Sequence, residues 1–236
     1  MNVFDILFPP YCVSCQKLTQ SRSDFYKYIC IPCFEKIRIN QKDFCHICNV
    51  QIILGKACQL CRKKTFFSGI VVASNYNNPI LKEIIHHLKY RYIKALSLSL
   101  SWILMAKLKS FPWGDKNDWL LVPIPSAKKR LKLRGFNQAE LLASNLSKLL
   151  GISISSAIIK RAKFCIPQMQ IENIEERKKN VKGSFEINQS FSELNLLKKK
   201  KVMLIDDVMT TGATLNECAK ILESHVKEIW GCVIAK

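Results

Sequence analysis

Four C-x-x-C pairs crowd the first quarter of the chain: Cys12/Cys15, Cys30/Cys33, Cys45/Cys48 and Cys58/Cys61. This spacing restricts the fold more than any other feature. Two thiolates from one tight turn grip one face of a tetrahedral ion, and a second pair completes the tetrahedron. Four pairs make two four-cysteine sites, and zinc is the metal they suit. Sequential pairing joins Cys12, Cys15, Cys30 and Cys33 at one site, and Cys45, Cys48, Cys58 and Cys61 at the other. An interlaced arrangement would join the first pair with the third and the second with the fourth. Short intervals and a hairpin-like layout favour the sequential one. Redox-active pairs or an iron–sulfur cluster are the competing uses of such cysteines. A segment this short cannot build a core of its own, so metal is expected to stabilise it.

The pattern stops after Lys64, which predicts a cysteine-rich unit over residues 1–64 and a second unit over 65–236. Charge divides along the same line. The chain carries 37 Lys and Arg against 18 Asp and Glu, a net +19. Residues 1–64 hold 10 basic and 4 acidic side chains. Eight thiolates around two Zn2+ would bring this front part to about +2. Most of the positive field therefore belongs to the back, which suggests an anionic partner. With 48% hydrophobic residues, wholesale disorder is excluded. The apolar stretch 3–8 is broken by Asp5 and stopped by Pro9, too short for a secretory signal. The stretch 95–106 contains three serines and is too short to span a membrane. A reducing cytoplasmic location is expected, where thiolates persist as metal ligands.

Residues 65–236 alternate strand-like and helix-like segments. Strands are predicted over 69–74, 119–124, 201–205 and 228–234, with a β-rich stretch over 152–159. Helical periodicity runs through 80–108 (one or two helices), 137–150 and 214–224. The α/β class follows: a mainly parallel sheet flanked by helices, with ligands at the carboxyl ends of the strands.

The segment VMLIDDVMTTGATLNEC, residues 202–218, is the most informative of these. A buried strand delivers Asp206 and Asp207, followed by Val208 and Met209. A loop of small residues, Thr210, Thr211, Gly212, Ala213 and Thr214, then opens into a helix. Neighbouring carboxylates can accept hydrogen bonds from two adjacent ribose hydroxyls. The loop brings backbone N–H groups and hydroxyls to a phosphate, and the helix dipole favours the anion. There is neither a Walker G-K-[ST] nor a G-x-G-x-x-G.

This segment resembles the 5-phosphoribosyl-1-pyrophosphate (PRPP) motif of type I phosphoribosyltransferases. Three further stretches are similar to the ComF/GntX family: VPIPSAKKRLKLRGFNQ at 122–138, a block over 161–185 containing Arg161, Gln168, Arg177, Asn180, Val181, Gly183 and Phe185, and the opening LFPPYCVSC. The resemblance implies a type I phosphoribosyltransferase-like domain behind a small double zinc ribbon. It implies that Asp206 and Asp207 bind ribose hydroxyls and that Val208 to Thr214 line the PRPP site. Ser126, Ala127 and Lys128 would form its pyrophosphate loop. Arg134, Arg161 and Arg177 would neutralise pyrophosphate, with Mg2+ carried in by the ligand. A loop between about residues 165 and 182 would exclude water.

In such a transfer the protein supplies no nucleophile. It holds the ribose, stabilises the departing charge and keeps water out. Asp206, Asp207, Arg134 and Arg177 are the candidate catalytic residues. Relatives in this family are linked to natural transformation and the handling of incoming single-stranded DNA. The basic run Lys128, Lys129, Arg130, Lys132 and Arg134 suits a polyanion backbone, with Tyr90, Tyr92 and Phe136 as stacking platforms or packing aromatics. The reading is a competence protein that binds PRPP and single-stranded DNA, with other cytoplasmic DNA-uptake proteins as further candidate partners. The alternatives are an active phosphoribosyltransferase in nucleotide salvage and a zinc-stabilised regulator that senses PRPP. No nucleobase-reading residues are recognisable, and any hood over the acceptor is expected from the chain before residue 119.

Overall fold

A computed structural model describes residues 9–19, 23–53, 55–162, 181–188 and 197–236. Its centre is a five-stranded parallel sheet in the order β3-β9-β8-β4-β5. These strands are β3 (Gly69–Ser74), β4 (Trp119–Pro123), β5 (Ser153–Ile154), β8 (Lys201–Val208) and β9 (Glu228–Ala235). A separate antiparallel ladder pairs β6 (Ile159–Arg161) with β7 (Phe185–Ile187), and another pairs β1 (Asp43–Phe44) with β2 (Gln51–Ile52) in the cysteine-rich part. Among the described residues the α-helices are α1 (Ile31–Phe34), α2 (Pro79–Tyr90), α3 (Leu96–Leu108), α4 (Lys128–Arg134), α5 (Gln138–Leu150) and α6 (Ala213–Leu222).

Strand β8 shows how the pleat builds two cores. Val202 and Leu204 enter one apolar cluster with Leu215, Cys218 and Ala219 of α6. Met203 and Ile205 enter the other, with Leu81 of α2, Leu100 of α3 and Leu142 of α5. This period of two sorts alternate side chains to opposite faces. From β4 the chain moves outward to β5. It returns at β8 and moves outward the other way to β9. The crevice beyond the ends of β4 and β8 is therefore a topological switch point, where open α/β sheets hold their ligands.

Local chemistry fixes the helix ends. Asn78 caps α2, its Oδ1 accepting from the Leu81 N–H at 3.0 Å, and Pro79 follows at the first helical position. Helix α3 is buried on most sides although it alternates leucine with serine. Its serines are satisfied within the protein: Ser101 donates to the Ser97 carbonyl at 2.7 Å, and Ser99 donates to the Phe25 carbonyl at 2.6 Å.

The cysteine-rich part shares a core with the sheet. Ile29 and Ile37 lie in the cluster formed by α2, α3 and β9. Asn40 donates from its backbone to the Ala73 carbonyl at 2.8 Å, and Lys107 pairs with Asp43 at 2.8 Å. The second cysteine module docks where Ile70 donates to the Gly55 carbonyl at 2.9 Å. A Cβ at Gly69 would lie 2.5 Å from that Gly55 oxygen and 2.6 Å from the Trp230 ring. Gly69→Ala is accordingly expected to destabilise the protein by about 1–3 kcal/mol. A urea unfolding curve checks this, and an unchanged midpoint would contradict the close approach.

The periodic stretch 80–108, read as one or two helices, is two, broken at residues 91–95. Other boundaries differ from the sequence reading. The β-rich stretch 152–159 ends in two short strands belonging to different sheets. Strand β8 runs three residues beyond its apolar run, so Asp206 and Asp207 lie inside it. Pairing of Asp206 with Val233 and of Val208 with Ala235 holds them there.

Candidate functional site

Two features are built for ligands: the cysteine quartets and the switch-point cleft. The thiols gather sequentially, Cys12, Cys15, Cys30 and Cys33 in one group and Cys45, Cys48, Cys58 and Cys61 in the other. Within each group the sulfurs lie inside 4.8 Å of one another. Cys15 Sγ is 3.6 Å from Cys30 Sγ, and Cys48 Sγ is 3.5 Å from Cys58 Sγ. Tetrahedral zinc with Zn–S of about 2.3 Å requires sulfurs about 3.8 Å apart. Electrostatics agree. Burial raises the Cys12 thiol, yet backbone hydrogen bonds involving Cys15, Cys30 and Ser14 outweigh it and hold the group down at about 7. Cys33 is pushed up to about 12 by burial and by its neighbouring thiols. Four thiols this close cannot all ionise without a cation between them, and either quartet could hold zinc. His46 stands between Cys45 and Cys48 in sequence but hydrogen-bonds Thr65 at 3.2 Å rather than joining the quartet.

The cleft has a volume of about 960 Å3. Its floor is the end of β8. Alternation sends Asp206 toward the α6 face and Asp207 toward the α2 face, yet both line the cleft. Lys89, in the last turn of α2, pairs with Asp207 at 2.9 Å. Among the described residues Asp206 has no such partner. Burial and the adjacent Asp207 charge raise its carboxyl to about 7, against the opposing pull of Lys89 and Arg130. The floor therefore holds fewer negative charges at neutral pH than its two carboxyls imply.

Beyond β8, Val208, Met209, Thr210, Ala213 and Thr214 also line the cleft. Gly212 adopts φ +74° as the residue that opens α6, a conformation that strains any side chain. Gly212 at the N-cap has no side chain to cap α6; Thr211 Oγ1 meets the Ala213 N–H, and the next N–H groups, of Thr214 and Leu215, precede the first intrahelical bond and suit an anion. Thr211 and Gly212 face elsewhere, into a second hollow of about 560 Å3 between α6 and the second cysteine module. Thr211 Oγ1 instead accepts from the Ala213 N–H at 3.3 Å.

The opposite wall follows β4. Ser126 and Ala127 line the cleft, whereas Lys128 does not. Lys128 begins α4, so the turn expected to include it is one residue shorter. Helical geometry divides the basic run. Arg130 and Arg134, four residues apart, face the cleft, while Lys128, Lys129 and Lys132 are exposed and lie outside it. The Arg134 guanidinium sits 5.5 Å from the centre of the Tyr90 ring. Arg161 also lines the cleft, where it donates to the Pro125 carbonyl at 3.3 Å and stacks on Phe185. Phe136 is buried under Lys94, whereas Tyr90 is exposed at the cleft and Tyr92 is exposed without lining it. Arg177, Gln168 and Asn180 fall outside the described residues, as does most of the expected water-excluding loop.

Sequence reasoning missed Lys89, Asn137 and Gln138, and assigned Arg130 to DNA alone. Tyr76, Lys89 and Tyr90 come from the chain before residue 119, where a hood was expected. Only packing joins Lys89 to Asp207, so no local pattern announces it.

The comparisons agree with this architecture. A phosphoribosyl transferase domain model matches residues 138–235. "Competence protein F" of Haemophilus influenzae is 28% identical over 228 residues, covering 88% of this chain and 97% of that protein. "DNA utilization protein YhgH" of Escherichia coli K12 is 27% identical over 198 residues, covering 82% and 83%. "Competence protein ComFC" of Bacillus subtilis is 27% identical over 205 residues, covering 82% and 77%.

Proposed function

The chain belongs to the ComF family, and from that premise we propose that it serves competence by binding PRPP in the switch-point cleft and single-stranded DNA on its basic surface. One observation carries the reading. Twin acids, the start of α6 and three arginines, Arg130, Arg134 and Arg161, line a single cleft at the carboxyl ends of β4 and β8. Asp206 and Asp207 would accept from the ribose hydroxyls. The loop from Thr210 to Thr214 would hold the 5′-phosphate, and Arg130 and Arg134 would face the diphosphate. Mg2+ would offset diphosphate charge. Because Asp207 is already engaged by Lys89, the ion would be carried mainly by the ligand. The two quartets would carry structural zinc. No described helix is long and apolar enough to cross a membrane.

Calorimetry with PRPP and Mg2+ tests the cleft, and heat-silent titration of the zinc-loaded protein would refute it. Pyrophosphate release across a panel of nucleobases tests the alternative of an active transferase; binding without release favours the binding role. For DNA, affinity for an oligothymidylate is expected to fall steeply with salt. Replacing Lys128, Lys129 and Lys132 together by alanine should reduce the magnitude of the log–log salt slope by about 2. An unchanged slope would remove α4 as the contact surface.

A further inference from the structure

The solvent-facing middle of α2 gathers metal-ligand side chains outside the cysteine quartets. His86 and His87 follow Glu83 by three and four residues, the two spacings that meet on one helix face. A carboxylate oxygen and one nitrogen from each ring lie within 4.8 Å of one another. The His87 ring is already oriented, with Nδ1 2.9 Å from the Glu83 carbonyl oxygen. A carbonyl only accepts, so Nδ1 carries the proton and the neutral ring keeps its lone pair on Nε2. Metal-bound histidines are held in this way, the second ring nitrogen donating to a carbonyl or carboxylate. The His86 ring leans on the Tyr90 ring, with centroids 4.9 Å apart.

The surroundings leave room for an ion. Glu83 and His86 are exposed and His87 is half-buried. Glu83 and His87 line a hollow of about 700 Å3 with Tyr11, Ser14 and Tyr28 of the first cysteine module. Three protein ligands beside open space are the pattern of a metal centre that keeps water in its remaining positions, unlike a closed four-cysteine site. An ordinary ion pair accounts for part of the cluster, since His87 Nδ1 lies 3.6 Å from Glu83 Oε2. It does not account for His86. Two imidazoles and one carboxylate suit Zn2+, Ni2+ or Cu2+ and disfavour Mg2+, which prefers oxygen ligands.

We propose that Glu83, His86 and His87 form a third metal site, open to water, that takes a borderline divalent cation such as Zn2+. The site does not depend on the PRPP reading. It lies on the turn just before Lys89 and Tyr90, so a bound ion would clamp the part of α2 that presents both residues to the cleft.

The test uses the full chain without an affinity tag, zinc-loaded and then treated with a mild chelator so that metal remains only in the quartets. Titration with Zn2+ should add about one equivalent that the same chelator removes, and excess Mg2+ should not displace it. Co2+ in its place should give the weak visible bands of nitrogen and oxygen ligation rather than intense sulfur charge transfer. Replacing His86 and His87 together by glutamine should abolish the extra equivalent. Glu83→Gln should weaken it roughly ten-fold or more, as loss of even a supporting contact does. Both variants should keep the chelator-resistant zinc and melt close to the native temperature, because these side chains lie at the surface. Should the double variant lose that zinc, Glu83→Gln decides alone. A native protein that takes up no further equivalent overturns the site. So does an extra equivalent that survives in the folded double variant, or a Glu83→Gln affinity within two-fold of native.

Discussion

Stripping metal from the two cysteine quartets is expected to abolish the native fold, releasing about two zinc ions per chain. Structural zinc contributes apparent free energies of about 10–16 kcal/mol in small modules. Whole-domain stability is about 5–15 kcal/mol, so one site is comparable with the total. The first quartet should be the more damaging loss. Cys12 and Cys33 lie in the same core as Ile29, Ile37, Leu81 and Leu100, so Cys33→Ser should lower the melting temperature of the whole chain by about 10 °C or more, on the order of 3–5 kcal/mol. The second module keeps little apolar surface inside: Ile53 is 81% exposed and Leu60 87%. Cys48→Ser should therefore release its metal at a smaller cost in melting temperature. Metal analysis beside calorimetry separates the two sites. A metal-free protein that melts at the native temperature would refute the structural role.

Replacing Asp206 and Asp207 together by asparagine should weaken PRPP binding by roughly 10²-fold or more, since both carboxyl contacts to the ribose are lost, that of Asp207 charge-assisted. Zinc content should not change. Native PRPP affinity in the double variant would rule out the twin-acid site. The single variants should diverge in stability. Asp206 keeps its proton to about pH 7 in the fold, because burial and Asp207 disfavour its charge. An unfolded aspartate loses it near pH 4. Between these values the folded chain binds more protons, so stability falls as pH rises from about 4 to about 7. Asp206→Asn removes that loss and should flatten the pH dependence of melting, with its largest stabilisation above pH 7. Asp207→Asn should destabilise instead, leaving the largely covered Lys89 ammonium without its partner at 2.9 Å. Calorimetry of both variants at pH 5 and pH 8 reads the two signs.

The legible parts were those whose signal is local. Strand β3 spans the residues its β-branched run predicts, and the cysteine spacing marks both quartets. The carboxyl end of β8 was not legible, because aspartate disfavours strands and only pairing with β9 overrides that preference. The basic run was visible as charge. Its division into a cleft-facing pair and an outward group required knowing that the residues are helical. Lys89 was invisible for another reason. It matters through Asp207, a neighbour brought by the fold.

Helix α2 has a further consequence. Its first turn is tied to the cysteine-rich part, where Asn78 Nδ2 donates to the Lys36 carbonyl at 3.3 Å. Its last turn delivers Lys89 to Asp207. A stiff rod thus runs from the first cysteine module to the acidic floor of the cleft. The position of Lys89 against Asp207 therefore depends on a helix anchored at its other end to the cysteine-rich part.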